Sequence, residues 1–298
     1  MTGLIILNKH EGISSFRAVS IVRGITGEKR VGHTGTLDPM ATGVLPVMLG
    51  GATKFCEFLP SHDKSYRAKL LLGVTTDTLD ITGNVLTQRS VDVAAGEFKS
   101  ALARFTGEIE QLPPMFSAVS KDGVRLYKLA RQGIVTEREK RQVTVFFAET
   151  VCENEQKGEY TIDVVCSAGT YIRTLINDIG EVLGCGAVMT ALCRTRSNGF
   201  FLQDALTITE LEELAGQGRA GEAVIPIEKA LSQYQNTEVS ERQAIRFKNG
   251  GPLDLCRLKD DILPGLTKVF SPNGDFLGLG EKNEETGELT PKRILAVK

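Results

Sequence analysis

Segments with strand periodicity and segments with helix periodicity follow one another irregularly along the 298 residues, and that order constrains the fold most. Gly3 to Asn8 is a short apolar run bounded by turn residues, the pattern of a buried strand. Ser14 and Ser15 offer an N-cap, and Ala18, Val19, Val22 and Ile25 follow at helical spacing up to Gly27. Tyr66 to Leu72 alternates, with Tyr66, Ala68, Leu70 and Leu72 on one side and Arg67, Lys69 and Leu71 on the other. Phe98, Ala101, Leu102 and Phe105 mark a second helix, ended by Gly107. Val143–Phe147 and Tyr160–Ser167 read as strands. Ile172, Leu175, Ile176, Ile179 and Leu183 then give a strongly amphipathic helix ending at Gly184. No regular strand–helix–strand repeat emerges, so an α+β domain is expected rather than a doubly wound one.

Residues 32–55 are dense in Gly, Thr and Pro and are expected to be mostly loop, despite their apolar tail. Glycines at this density let backbone approach a ligand closely or adopt positive φ, yet neither nucleotide-phosphate fingerprint is present. Within this segment Asp38-Pro39 has the local form of an N-cap followed by proline at the first helical position. His33 reads either as a core or capping histidine or as a stackable ring beside a site. Tyr66 opens its strand either as packing or as a phenol available to a ligand. Arg173 sits at the start of the amphipathic helix, where the dipole disfavours a cation, and so calls for a partner, most simply a carboxylate. In the basic segment from Gln111 to Arg141, Arg125, Lys128 and Arg131 fall at i, i+3 and i+6 and would share one side of a short helix stopping at Gly133.

An acidic, helical-looking stretch from about Glu210 to Ser232 precedes a Gly-punctuated tail. Strand candidates there are Leu266–Phe270, Phe276–Leu279 and Arg293–Val297, with a Pro-Asn-Gly turn at 272–274. Together they suggest a β domain of ~65 residues, a size that can fold alone.

A formal net charge of −2 at first argues against a nucleic-acid partner. The total is an average, however. Residues 1–70 carry nine Lys and Arg against five acids (+4), and 121–145 carry seven against three (+4). These are offset by −4 over 146–170 and −6 over 203–241. A charge run is most simply a solvated face, but two basic blocks in a neutral chain leave a nucleic-acid partner open. The six cysteines are scattered without a C-x-x-C pair and there are three histidines, which argues against a zinc site and for reduced thiols in a cytoplasmic protein. No apolar run approaches the ~20 residues of a membrane span, and Met1–His10 lacks the form of a signal peptide.

GHTGTLDPMATGVLPVMLGGATK, residues 32–54, resembles the signature G-H-x-G-x-L-D-P-x-A-x-G-V-L-P…G-x-A-T-K of the bacterial TruB family of tRNA pseudouridine synthases. Further blocks resemble that family in its own order: LNKHEGISSFRAV near the start, SYRAKLLLGVTTDTLDITG, QLPPMFSAVSKDGVRLYKLARQG, SAGTYIRTLINDIGEVLGCGA and ALCRTRSNGF. The resemblance is specific over residues 3–202. It departs from the pattern at His10, where proline is usual, at Phe116, where tyrosine is common, at Ser120, which shifts the usual lysine by one, and at Cys193, which replaces an arginine.

The resemblance implies a catalytic domain over 1–231 with a mixed, largely antiparallel sheet flanked by helices. It also implies an RNA-binding insertion at about 112–142 and a PUA-like β domain over 232–298. It implies conversion of uridine 55 in the tRNA T-loop to pseudouridine by base flipping, glycosidic cleavage, uracil rotation and C–C bond formation. Asp38 would be the catalytic aspartate, acting as nucleophile or as stabiliser of a cationic sugar. Arg173 would pair with it, and Tyr66 would stack on the base and serve as a proton acceptor. His33 would fill the vacated base position. Tyr171 and Leu192 would line the uracil pocket, Asp77 would lie behind it, and Lys9 would support it. Arg125, Lys128 and Arg131 would meet phosphates. Neither metal nor organic cofactor is implied, since the isomerisation is redox-neutral and needs no activated donor. The implied partner is the tRNA T-arm stem-loop, with no membrane and no obligate protein partner, and a monomer suffices. Two other readings of the same residues are a non-catalytic tRNA-binding or folding protein and a uridine N-glycosidase. The second wants another carboxylate as general acid, for which Asp77 and Asp80 are the nearby candidates.

Overall fold

The N-terminal apolar run forms β1 (Gly3–Lys9), and Ser14 caps α1 (Ser15–Thr26), which ends at Gly27 in the left-handed region. The structure, a computed structural model, describes residues 1–121 and 123–295. There follow β2 (Val31–His33), β3 (Thr42–Leu49), β4 (Lys64–Leu72) and a hairpin of β5 (Val74–Thr76) and β6 (Val85–Gln88). Beyond α2 (Ala95–Ala103) and β7 (Gly107–Gln111), a two-stranded ribbon of β8 (Ser120–Lys121) and β9 (Val124–Arg125) leads into the short α3 (Leu126–Ala130). The large sheet is completed by β10 (Arg141–Asn154), β11 (Glu159–Cys166), β12 (Ala187–Ser197) and β13 (Phe200–Phe201), with α4 (Ile172–Val182) between β11 and β12.

Among the described residues, nine of these strands form one sheet along the path β1-β3-β12-β4-β11-β10-β7, with β2 added to β3 and β13 to β12. Pairing is antiparallel throughout except where β3 meets β12 at Thr42–Cys193 and Gly43–Arg194. This is the mixed, largely antiparallel α+β arrangement expected. β4 alternates as its sequence suggests, with Tyr66, Ala68, Leu70 and Leu72 buried and Arg67 turned outward to a bidentate pair with Asp163. In β1, by contrast, Ile5 and Leu7 enter the core under α1 and α4, while Leu4 and Ile6 enter a second core on the opposite face. Burial on both faces is why β1 reads as an unbroken apolar run. Its outer edge is covered by bridges to Leu206 and Ile225.

The largest departure from expectation lies at 32–55. Instead of loop, eight residues form β3, buried on both faces like its neighbour β1. Pro46 is tolerated because its own carbonyl accepts from Thr34 N (3.2 Å) on the edge away from β1. Its missing N–H faces the same edge, where the β2 ladder is already ending, so the loss is at most one bond. Gly43, at φ +103°, is where a Cβ would collide with the Arg194 backbone, so the crossing of β3 and β12 requires glycine.

After α5 (Ile208–Gly216) and α6 (Ile227–Ala230), the chain builds a five-stranded curled sheet with one helix. Its elements are β14 (Gln235–Glu238), α7 (Glu241–Lys248), β15 (Leu253–Asp254), β16 (Leu266–Phe270), β17 (Phe276–Asn283) and β18 (Glu288–Ile294). The last strand expected, Arg293–Val297, begins earlier, and its final residues at 296–297 lie outside the described residues. The sheet has its own small interior around Phe247, Val269, Leu277 and Leu289. Phe276 and Leu279, however, pack into the second core with Leu4, Ile6, Phe55 and Phe58, the Phe55 and Phe276 rings standing 5.7 Å apart. A 2.6 Å pair between Arg293 and Glu57 closes the rim. Such a shared core should melt as one unit. Phe276→Ala, which deletes a buried ring at a cost of about 3 kcal/mol, is expected to give a single calorimetric transition lowered by roughly 10 °C. Two separated transitions would show that the C-terminal sheet unfolds on its own.

Candidate active site

Asp38 occupies the first position of a tight turn closed by Ala41 N donating to its carbonyl (3.0 Å), with Pro39 second. No helix follows, so the N-cap reading of this dipeptide is replaced by a β-turn that leaves the carboxylate free. The loop before it is held on both sides by side chains. Ser15 Oγ donates to Leu37 O (2.9 Å) and accepts from Leu37 N (2.7 Å). Lys9 Nζ donates to Pro39 O (3.3 Å) and to His10 and Ile13 carbonyls (both 2.9 Å). Arg194, wholly buried, gives its guanidinium to Val44 O (2.7 Å), Gly35 O (3.0 Å) and Thr36 O (3.4 Å). The loop bearing Asp38 is thus fastened to α1, β1, β3 and β12.

The Asp38 carboxylate meets Arg173 from the first turn of α4, with Nε 3.0 Å from Oδ2. The awkward helix-start cation therefore has the carboxylate partner its position demands. The same guanidinium donates to Thr78 O (2.9 Å) and Phe116 O (2.8 Å) and stands 3.7 Å from Asp80 Oδ2, with 6% of its side chain exposed. One planar group thereby ties the Asp38 loop, the 76–82 loop and the 112–142 segment together. Burial raises the Asp38 pKa above the ordinary aspartate range; Arg173 opposes this and the Asp80 charge adds to it. A third of the Asp38 side chain remains open, toward a cavity of about 220 Å³.

That cavity is walled by Tyr66, Tyr171, Ile172, Leu192, Lys64 and Ser117. Tyr66 and Leu192 face it from adjacent strands, and burial pushes the Tyr66 phenol up against the opposing pull of Arg194, so it is a neutral phenol. Tyr171 precedes α4, its backbone clasped by the buried Gln111 side-chain amide (N–H to Oε1 2.9 Å, Nε2 to C=O 3.2 Å). The Ser117 hydroxyl is buried and makes no hydrogen bond. His33 ends β2, and its Nδ1 accepts from Gly35 N (3.2 Å). Burial, then Arg194 and Lys64, lower its pKa, leaving a neutral imidazole.

Two expectations, for Asp77 and for the basic stripe, need correction, and the supporting part expected of Lys9 takes a definite form. Asp77 lies away from the cavity, accepting from the backbone and side chain of Asn84 to close its own loop (2.8 and 2.9 Å). Asp80 is the carboxylate behind the site, buried and held by Thr78 Oγ1 (2.9 Å), Thr82 N (3.0 Å) and Thr82 Oγ1 (2.5 Å). Lys9 is wholly buried with its ammonium shared among three carbonyls, so it positions the Pro39 turn and reaches no ligand. Burial depresses its pKa to about 8. Finally, Arg125 precedes α3 and donates to Ala118 O, because the helix spans only Leu126–Ala130. The expected single stripe is therefore broken. Lys128 and Arg131 remain exposed, the latter over the Tyr127 ring at 5.6 Å.

Missed from the sequence were Ser15, Lys64, Gln111, Ser117 and Arg194. Ser15, Gln111, Ser117 and Arg194 lie in blocks that carry the family resemblance, which was the available signal. Lys64 stands one residue before such a block, and nothing local announces it.

The N-terminal domain description "TruB family pseudouridylate synthase" matches residues 23–172. Residues 173–232 match the C-terminal domain of tRNA pseudouridylate synthase B, and 236–295 the C-terminal unit of pseudouridine synthase II TruB. The chain belongs to the TruB family. Among its relatives are the tRNA pseudouridine synthases B of Pseudomonas fluorescens strain Pf0-1 and Clostridium perfringens, each 42% identical. The first alignment covers 99% of this chain and 96% of the relative, the second 96% of each. Among solved structures, that of a Cbf5-Nop10-Gar1 complex superposes with a TM-score of 0.71 at 27% identity, covering 100% of this chain and 84% of the other. An H/ACA ribonucleoprotein bound to a substrate RNA containing 2′-deoxyuridine gives 0.72 at 24% identity, over 99% and 86%, and shares the fold. In this TruB-family chain the departures at His10 and Phe116 leave the site intact. The His10 carbonyl is held by Lys9, and Phe116 meets Arg173 through its backbone.

Proposed function

We propose that this chain converts the uridine at position 55 in the T-loop of tRNA to pseudouridine, with Asp38 as the group that acts on ribose C1′. Family membership makes it an enzyme, a tRNA pseudouridine synthase that flips out its target and isomerises it. The observation supporting the site is the Asp38–Arg173 pair at one wall of a cavity large enough for a single nucleoside. Isomerisation breaks N1–C1′ and forms C5–C1′, while one proton leaves C5 and one arrives at N1. A carboxylate held ionised beside C1′ can attack it or stabilise its positive charge. Tyr66, Tyr171 and Leu192 would enclose the uracil while it turns. As a neutral phenol Tyr66 takes the C5 proton only as its own leaves, a transfer the neighbouring Arg194 favours. His33, as a neutral ring, would stand in the place the flipped base leaves, and exposed Lys128 and Arg131 would face phosphates.

The test is tritium release from a T-arm stem-loop labelled at C5 of its uridines. One tritium per molecule is expected, with pseudouridine recovered after digestion. Binding without conversion, or free uracil as product, would overturn the reading. Equal release from a stem-loop of another tRNA arm would overturn the choice of T-arm.

A further inference from the structure

Lys64 is the charged group of the cavity wall that nothing above employs. It sits two residues before Tyr66 on β4, so both side chains lie on one face of the strand and line the same cavity as Asp38. Among the described residues it makes no side-chain hydrogen bond and no ion pair. The neighbouring Asp63 instead takes the Ser61 hydroxyl (3.1 Å). The loop before Asp38 comes close at Gly35, where an added methyl would stand 3.1 Å from Lys64 Nζ and 3.6 Å from Arg194 Nη1. Two cations therefore converge on one glycine with no carboxylate between them. Arg194 already gives three hydrogen bonds to carbonyls of the loop and β3, the Cys166 thiol nearby is pushed up to about 11 and stays neutral, and His33 is neutral. Of the two cations, Lys64 is the one whose side chain makes no hydrogen bond among the described residues. The cost is visible in its own depressed pKa, caused first by burial and then by Arg194. An unpaired cation in such a place is stabilised by an anionic ligand.

A nucleoside entering the cavity as part of an RNA brings that anion with it, one phosphodiester on each side of its ribose. We infer that Lys64 anchors a phosphodiester flanking the flipped uridine, which fixes the ribose against Asp38 while the uracil is free to rotate. The inference rests on the reading of the cavity as a uridine site. It adds an element that reading does not contain, a grip on the sugar–phosphate that persists when the base is detached. Gly35 leaves room for the ammonium to reach the strand.

The experiment compares wild type, Lys64→Met and Lys64→Arg on three T-arm stem-loops. One is unmodified, and the others carry a single neutral methylphosphonate immediately 5′ or 3′ of the target uridine. Both Kd and kcat/KM are measured. With unmodified RNA, K64M is expected to lose roughly 10- to 100-fold in kcat/KM, the order of one lost charge-assisted bond, and K64R to recover most of it. The salt slope of K64M binding should be shallower by about 0.7. One of the two methylphosphonates should cost wild type a similar factor and cost K64M nothing further. If the losses multiply at both positions, or if K64M matches wild type, Lys64 holds no phosphate. Should wild type bind all three RNAs yet form no pseudouridine, the proposed activity falls, and the same cycle read in Kd still decides the anchor. Replacing a half-buried unpaired cation by methionine should leave the thermal midpoint unchanged or higher, which separates lost contact from lost fold.

Discussion

Asp38→Asn is expected to bind the T-arm stem-loop as wild type does and to release no tritium from it, a loss of roughly 10⁴-fold or more in turnover. The amide is nearly isosteric, so the β-turn with Pro39 and the loop bonds from Ser15, Lys9 and Arg194 persist. What disappears is the negative charge that the proposed reaction places beside C1′. The chemistry also carries a pH signature. Burial and the charge of Asp80 raise the Asp38 pKa against the pull of Arg173, so the acid limb of single-turnover rate lies above the ordinary aspartate range. Removing the Asp80 charge by Asp80→Asn takes away a like charge and should move that limb to lower pH. Stability follows with the opposite sense. The folded chain holds the Asp38 proton more tightly than the unfolded one, so its ionisation costs stability. That cost grows from the ordinary aspartate range up to the raised value and is constant above it. At neutral pH the full cost is present, so D38N recovers it while losing the pair with Arg173, whose guanidinium keeps Asp80 nearby, and it should melt at a higher temperature than R173M. An active D38N enzyme, or an acid limb unmoved by D80N, would mean that another group acts on the ribose.

Most elements legible in the sequence have one face in a core and one in water, which writes a period into the chain, whereas β1, buried on both faces, was legible as an unbroken apolar run. The strand β4 and the helix α4 are of the first kind, and the caps at Ser14 and Gly27 are local chemistry that needs no tertiary partner. The strand β3 was hidden because both of its faces are buried and its Gly43 and Pro46 are strand-breaking residues in isolation. Each is tolerated through contacts with residues elsewhere in the chain, Arg194 for one and Thr34 for the other. The site divides in the same way. Asp38, Tyr66 and Arg173 came from the family resemblance, and the electrostatics of a helix start separately called for a carboxylate beside Arg173 without saying which. Which carboxylate of Asp77 and Asp80 stands behind Arg173 depends on a loop that folds back on Asn84 and Thr82, and no spacing rule encodes that choice.

Arg173→Lys is expected to be far less conservative than its charge suggests, with kcat lower by roughly 10²-fold, the order of a reacting group displaced by about 1 Å. The planar fork spans three directions at once, reaching Asp38 through Nε and the Thr78 and Phe116 carbonyls through its two terminal nitrogens. An ammonium on a flexible stem can keep a charge near Asp38 but cannot satisfy all three. The released Phe116 carbonyl should loosen the insertion, read as faster proteolytic cleavage within 112–142 and a higher KM. Arg173→Met separates the two roles. With the cation gone, the Asp38 and Asp80 carboxylates face each other uncompensated in a buried setting, so the acid limb should shift to higher pH than in wild type, whereas R173K should leave it near its original place. Breaking the buried pair should also destabilise R173M by about 3 kcal/mol. If R173K kept full turnover, the fork geometry would be irrelevant and Arg173 would act as a point charge alone. If instead R173M left the acid limb unmoved, the ionisation of Asp38 would be governed from elsewhere in the cavity, with Lys64 the next cation to examine.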